Sequence, residues 1–259
     1  MARRGDARRR SSAGEPLRGA RLGGGAARRA RGCGLAGRPA AQSTRRGIFV
    51  TVEGPDFSGK STLVRAIRPL LAGSRPSTHF TREPGGTPAA EIIREVVLDP
   101  GTKMDAWTEA YLYAAARADH VRGAILPHLE AGENVLCERY LDSSLAYQGF
   151  GRGLGVEAVR ALNAYAVGTV VPDRTFYLRL DQGERERRAR ELGMPPDRIE
   201  AVVAEFMRRV EMGFEELARL ESERIEVLDA SLPPRDLAGL VVGRMRDLQY
   251  TRKRDGDDG

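Results

Sequence analysis

The sequence predicts an α/β fold built on a parallel sheet, and three observations carry that expectation. An apolar, β-rich run over residues 48–52 leads straight into Gly54-x-x-x-x-Gly59-Lys60-Ser61 and then into helix formers, the strand, glycine loop and helix order that a phosphate-binding loop requires. Further short apolar runs at 78–81, 134–140, 175–180 and 224–228 alternate with longer helical stretches, as in β-α units of a parallel sheet. The 259 residues are enough for one large domain of this kind, preferred here to two small ones.

The net charge of +6 conceals two unlike parts. Residues 1–46 hold 13 Arg and two acids, a charge of +11, and the remaining residues hold 29 bases and 34 acids, a charge of −5. The first part is so poor in large apolar residues that it cannot offset the entropy of ordering and is expected to be disordered. An organelle transit peptide would share its Arg-rich, acid-poor character but would also be Ser-rich and amphipathic. A tether to nucleic acid would use the same charges against phosphates. The plainest expectation is an extension outside the folded domain, such as an upstream mis-assigned start; no Met lies between Met1 and Met104, so the true start would then use a non-ATG codon.

Cys33 and Cys137 form no C-x-x-C, which argues against a disulfide framework or a thiolate zinc site and fits a reducing, cytoplasmic compartment. No stretch approaches 18 continuous apolar residues, so no membrane association is expected. His79, His120 and His128 have no ligand-like spacing.

In chain order, the loop residues Gly54, Pro55, Asp56, Phe57, Ser58, Gly59, Lys60, Ser61 and Thr62 come first. The two glycines let successive backbone N–H groups curl around a phosphate chain at a helix N-terminus, Lys60 can reach the β- and γ-phosphates, and the Ser61 hydroxyl can ligate Mg²⁺. A helix over 61–72 follows, then a short strand at 78–81 and the motif TREPGGT at 81–87. Arg82, at the carboxyl edge of that strand, stands where α/β sheets bind ligands, and either holds a phosphate or pairs on the surface with Glu83. A helix over 88–98 comes next, and then a long helical region over 105–131, interrupted near Pro127. Within it Tyr113 and Arg117 are four apart and share a face, a pairing that suits a stacked base or an ordinary surface contact, while Trp107, Tyr111, Ala114 and Ala118 read as a core stripe.

A strand over 134–140 ends in Glu138, Arg139 and Tyr140, and the glycines over 149–155 read as a flexible loop. After the fourth strand, at 175–180, ERERRAR over 184–190 reads as a solvated helix or, given Gly193, Pro195 and Pro196 behind it, as a hinged lid. A helix over 197–220, a fifth strand at 224–228, a last helix over 234–248 and a frayed, polar end at 249–259 complete the chain.

Taken together, the phosphate loop, TREPGGT, LYAAARADHV at 112–121, ERY at 138–140, SSLAYQGFGRGL at 143–154, PDRTFYL at 172–178 and DRIE at 197–200 resemble the thymidylate kinase family, in the family's order and over about residues 47–245. The resemblance implies a three-layer P-loop nucleoside monophosphate kinase fold, with a five-stranded parallel sheet and an Arg-rich lid at about 184–198. It implies that ATP with Mg²⁺ phosphorylates dTMP to dTDP for dTTP synthesis, in a homodimer that needs no nucleic acid. Residues 54–62 would bind ATP, with Lys60 catalytic. Tyr113 would stack on the thymine, at a position more often Phe, and Arg117 would hydrogen-bond the base. Arg82 would hold the dTMP phosphate, Arg139 would act between donor and acceptor, and Asp56 would lie near the acceptor sugar and phosphate. Tyr147 would close against the sugar, with Ser144 and Gln148 in the same segment. Ser61 and Glu138 would serve the metal.

There are departures. Glu138 replaces the usual Asp and lengthens the reach by a methylene, and Ala116 stands where an acid is common. Some members carry a basic residue in the loop where Phe57 stands here, so the transition-state charge is expected from the lid. Arg190 is the expected donor there, Arg187 the second choice, and Arg152 of the glycine loop a further one.

The rival readings are another P-loop nucleotide kinase, a GTPase-like switch and a nucleotide-binding protein tethered to nucleic acid by its basic tail. Thr102, Lys103, Met104 and Asp105 match the [NT]-K-x-D guanine pattern, but they follow Asp-Pro-Gly rather than an apolar strand.

Overall fold

Five parallel strands run in the order β2-β3-β1-β4-β5: β1 (Phe49–Glu53), β2 (Thr78–Arg82), β3 (Asn134–Glu138), β4 (Arg174–Arg179) and β5 (Ile225–Asp229). The computed structural model describes residues 46–191 and 200–255. The tail up to residue 45, the hinge at 193–196, most of DRIE and residues 256–259 lie outside them. Residues of β1 are all buried, as a central strand covered on both faces must be. The chain leaves β1 for the β2 side first and crosses to the β4 side later, so the crevice at the carboxyl ends of β1 and β3 is the switch point where α/β sheets place ligands.

Helices cover both faces. On one, α1 (Lys60–Leu71) and the final helix, α9 (Pro234–Asp255), pack Leu63, Ile67, Val241 and Met245 against Val50, Val52 and Phe176. On the other, Val121, Ile125 and Leu129 cover Phe49, Val135 and Tyr140. Val210, Phe214 and Leu217 of α8 (Glu200–Leu220) cover Tyr177 and Ile225. The remaining helices are α2 (Pro88–Leu98), α3 (Ala106–His120), α4 (Leu126–Glu130), α5 (Leu141–Ser144), α6 (Val156–Val167) and α7 (Gln182–Glu191).

Five features depart from the sequence reading. The interruption near Pro127 is a π turn, Val121–Ile125, that joins α3 to α4 without a break; Pro127 lacks the N–H that a regular helix would use there. Trp107 and Tyr111 are not core but 42% and 60% exposed. The buried residues of α3 are Ala110, Ala114, Ala116, Arg117 and His120, so Ala114 alone of the expected stripe is buried and the buried face is rotated by about 100° from that stripe. The glycines after Leu145 do not start as a loop, because a π-helical segment, Leu145–Gly151, carries them against α8; a β-carbon on Gly151 would lie 2.6 Å from the Phe206 ring. The last helix continues to Asp255 rather than fraying after 248. Its Arg252 pairs with Asp173 and donates to the Gly47 carbonyl at 2.7 Å, tying it to the start of β1. Helix α6 has no counterpart in the sequence reading.

Candidate active site

The phosphate loop is held open by its glycines. Gly54 has φ 143°, and a β-carbon there would lie 2.8 Å from the Leu178 carbonyl oxygen, so only glycine lets the loop leave β1 in this direction. Gly59, at φ 94°, turns the chain into α1. Lys60 is buried, and its Nζ donates to the Pro55 carbonyl at 2.7 Å and to Ser58 Oγ at 3.4 Å. Burial, reinforced by the charge of Arg139, pulls its pKa down to about 7. Phosphate in the loop would favour its charged form again.

Ser61 Oγ donates to Glu138 Oε1 at 2.7 Å, so a hydroxyl and a carboxylate meet where β3 ends beside α1. These are hard oxygen donors of the kind Mg²⁺ takes. Among the described residues no group of three or more His, Cys, Asp or Glu is placed to hold a metal. Such an ion would therefore keep most of its shell for phosphate oxygens and water, which is the habit of Mg²⁺.

Two cavities open at the carboxyl ends of the strands. One, of about 820 Å³, runs from the loop past Arg187, Arg188 and Glu191 of α7 to the turn at 230–234 after β5. The other, of about 320 Å³, is lined by Pro84, Tyr113, Arg117, Tyr147 and Gln148. Three residues border both: Asp56, Arg94 and Arg139. Arg139 takes φ 67°, unusual outside glycine, and donates to the Gly54 carbonyl at 3.0 Å, Ser143 Oγ at 3.0 Å, Asp56 Oδ1 at 2.5 Å and Tyr147 Oη at 3.4 Å. Burial opposes the Asp56 charge, but Arg139 and Lys60 outweigh it and hold the carboxyl below its usual range.

The floor of the smaller cavity is a buried network around Arg117. Its Nε donates to Glu83 Oε2 at 2.8 Å, Nη1 to Asn163 Oδ1, and Nη2 to the Tyr140 carbonyl and Ser144 Oγ at 3.0 Å each. Four of the five guanidinium hydrogens are thus committed, and the fifth, on Nη1, is left for whatever enters. His120 Nδ1 lies 3.0 Å from the other Glu83 oxygen, and its Nε2 lies 2.7 Å from Thr81 Oγ1. Gln148 is held by Glu109 at 2.8 Å, which also pairs with Arg152.

Most of the sequence-derived residues converge on this crevice: the loop residues from Asp56 to Thr62, Tyr113, Arg117, Glu138, Arg139, Ser144, Tyr147 and Gln148 line one cavity or both. Two do not. Arg82 pairs with Glu91 at 2.9 Å and lines neither cavity, while Arg94, one turn further along α2 from Glu91, stands at the junction and donates to the Pro84 carbonyl at 2.8 Å. Arg190 is exposed and borders neither cavity. It lies about 200° around α7 from Arg188, which is the one beside the loop. Sequence reasoning missed Arg94, Glu83 as the anchor of Arg117, and Glu53. Only Glu83 carried a signal, as an acid at a strand end beside Pro84.

Two cavities that share Arg94 and Arg139, the larger one built on a phosphate loop, define a P-loop phosphotransferase of the nucleoside monophosphate kinase class. The thymidylate kinase family profile matches residues 52–239. A thymidylate kinase of Deinococcus radiodurans is 45% identical over 192 residues, covering 74% of this chain and 93% of that protein, and one of Bacillus pumilus is 41% identical, covering 78% and 96%. The crystal structure of thymidylate kinase from Ehrlichia chaffeensis superposes with a TM-score of 0.62 at 27% identity, over 78% of this chain and 99% of that one. The chain belongs to the thymidylate kinase family.

Proposed function

We propose that this chain transfers the γ-phosphoryl group of ATP to dTMP, yielding dTDP and ADP on the way to dTTP. The observation that carries this reading is that Arg139 and Asp56 border both cavities, so a donor and an acceptor phosphate would meet on one guanidinium. ATP fits the larger cavity, its phosphates in the loop and Lys60 on the β- and γ-oxygens. Mg²⁺ bound near Ser61 and Glu138 would supply neutralisation of phosphate charge. The protein's share is positioning and fixed positive charge, since phosphoryl transfer asks little covalent chemistry of it. In the smaller cavity Tyr113 stacks on the thymine, Arg117 offers its remaining N–H to a base carbonyl, and Arg94 takes the phosphate-holding place that the resemblance gave to Arg82.

The exposed Trp107 and Tyr111 of α3 and the exposed Ile92, Val96 and Leu98 of the adjoining α2 support pairing of two copies through this face. The cytoplasmic assignment rests on cysteine usage; among the described residues no helix is long and apolar enough to cross a membrane. The guanine-like pattern at 102–105 is accounted for locally, because Asp105 caps α3 by accepting from the Trp107 and Thr108 N–H groups.

The test is a panel of acceptors with ATP: dTMP, dUMP, UMP, CMP, AMP and GMP. dTMP should be preferred, and a clear preference for AMP or GMP would overturn the reading. Tyr147 accepts the Asp56 N–H at 3.1 Å and packs edge-on to Phe206 and Phe214, which fixes its ring beside the acceptor sugar. Tyr147→Ala should reduce the preference for dTMP over its ribose counterpart, a discrimination by shape that reaches at most about a hundredfold. An unchanged ratio would make Tyr147 a packing residue only. The folded domain at 47–248 is proposed to work without the tail. A chain beginning at Arg45 should keep its melting temperature and its turnover with dTMP, and a loss of several degrees or a large fall in activity would show that the tail packs on the enzyme.

A further inference from the structure

Glu53 ends β1 one residue before the phosphate loop, is fully buried, and belongs to neither cavity wall. Its Oε1 accepts from the Tyr140 N–H at 2.6 Å and the Ser143 N–H at 3.3 Å, and its Oε2 from the Ser143 hydroxyl at 2.5 Å. Ser143 Oγ accepts in turn from Arg139 Nη1, which also donates to the carbonyl of Gly54, the residue after Glu53. These contacts close a ring: Glu53, Ser143, Arg139, Gly54 and, through the backbone, Glu53 again. Arg139 holds a left-handed backbone, which a side chain of this size keeps only when its surroundings over-determine it. The N–H that Glu53 grips belongs to the peptide directly after Arg139, the one that would turn if that backbone relaxed.

We infer that Glu53 is a positioning residue for the phosphoryl transfer: by fixing the peptide between Arg139 and Tyr140 and the Ser143 hydroxyl, it sets the Arg139 guanidinium between the donor and acceptor cavities. The inference rests on the role proposed above for Arg139. A plain structural alternative exists, since Glu53 also satisfies N–H groups at the start of α5. The electrostatics separate the two. Burial, followed by the neighbouring Asp142, pushes the Glu53 carboxyl up to about 7. A carboxyl raised from 4.5 is disfavoured when charged, so above pH 7 its charge costs stability, a cost absent below about pH 4.5. A neutral isostere should therefore not weaken the fold at pH 8.

The test measures kcat, both KM values and the melting temperature at pH 8 for Glu53→Gln, Ser143→Ala, Arg139→Gln and the double variant of Glu53 and Arg139. Glu53→Gln should lower kcat about tenfold or more with KM for ATP and dTMP within about threefold, and without lowering the melting temperature by more than about 3 °C. Ser143→Ala, which removes only the hydroxyl link, should lower kcat in the same direction and replaces Glu53→Gln should that variant not fold. The double variant should be no slower than Arg139→Gln alone, within about twofold, because the second change acts through a group already gone. A Glu53→Gln enzyme with kcat within about threefold of wild type, a loss that multiplies with that of Arg139→Gln, or a loss accompanied by melting in both Glu53→Gln and Ser143→Ala would overturn the inference. Full kcat in Arg139→Gln would instead overturn the underlying role of Arg139, and the single variant reads that separately.

Discussion

Arg188→Ala should lower kcat by about 10³-fold or more while leaving the melting temperature and the affinity for ATP close to wild type, because an arginine at a transferring phosphoryl group is worth roughly 10³ to 10⁵ in turnover. The loop position that holds a basic residue in some relatives is Phe57 here, so the charge has to reach the phosphates from another element. Arg188 is placed for it. Its Nε rests on Glu184 Oε1 and its Nη2 on the Ala230 carbonyl, each at 2.9 Å, and a β-carbon on Gly59 would lie 3.5 Å from its Nη1. It thus spans the mouth of the larger cavity, from the phosphate loop to the turn after β5, and an entering nucleotide would compete for the carbonyl it now holds. Arg187 also borders that cavity but is gripped by Glu184 and Glu191, and an exposed pair of that kind contributes under about 1 kcal/mol to stability. Arg190→Ala should reduce kcat less than about tenfold. Steady-state kinetics on Arg188→Ala and Arg190→Ala decide the matter, and the reverse order would return the role to Arg190.

The lid illustrates what a sequence can and cannot carry. Four arginines in six residues announce a basic helix, but which one meets the loop depends on the rotation of α7, and that is set by Arg185, buried against Glu211, and by the Glu184 to Arg188 pair. Rotation also explains the error on α3. A stripe through Trp107 and Tyr111 and one through Ala110 and Arg117 are both available at helical spacing, and the large aromatic residues made the first look like core. The phosphate loop, the five strands and most of the crevice were legible because each is a local pattern whose chemistry needs particular residues at particular spacings. Glu53, Glu83 and Arg94 were not. Each acts through a partner more than nine residues away, and apart from the strand-end place of Glu83 beside Pro84 nothing nearby in the sequence distinguishes it from a surface charge.

Arg117→Met should destabilise the fold by about 3 to 5 kcal/mol, the cost of leaving one member of a buried ion pair without the other. At about 2 to 4 °C per kcal/mol for a domain of this size, the melting temperature should fall by roughly 6 to 20 °C. Glu83 is 5% exposed and would keep only the contact to His120 on its other oxygen. The same variant should raise KM for dTMP about ten- to a hundredfold, the value of a hydrogen bond from a charged donor. The two losses have different origins, and a second substitution separates them. In Arg117→Met with Glu83→Gln the uncompensated charge is gone, so most of the stability should return, since a buried pair replaced as a whole is often close to neutral. Binding of dTMP should not return, because the donor facing the base is still missing. Arg117→Lys makes the complementary case. It restores a charge beside Glu83 but not the planar fork that reaches Glu83, Asn163 and Ser144 together with a donor to spare for the proposed base contact, so it should recover stability in part and leave the acceptor site weak. If the double variant binds dTMP as tightly as wild type, Arg117 is a structural residue and the base is read by another group in the cavity.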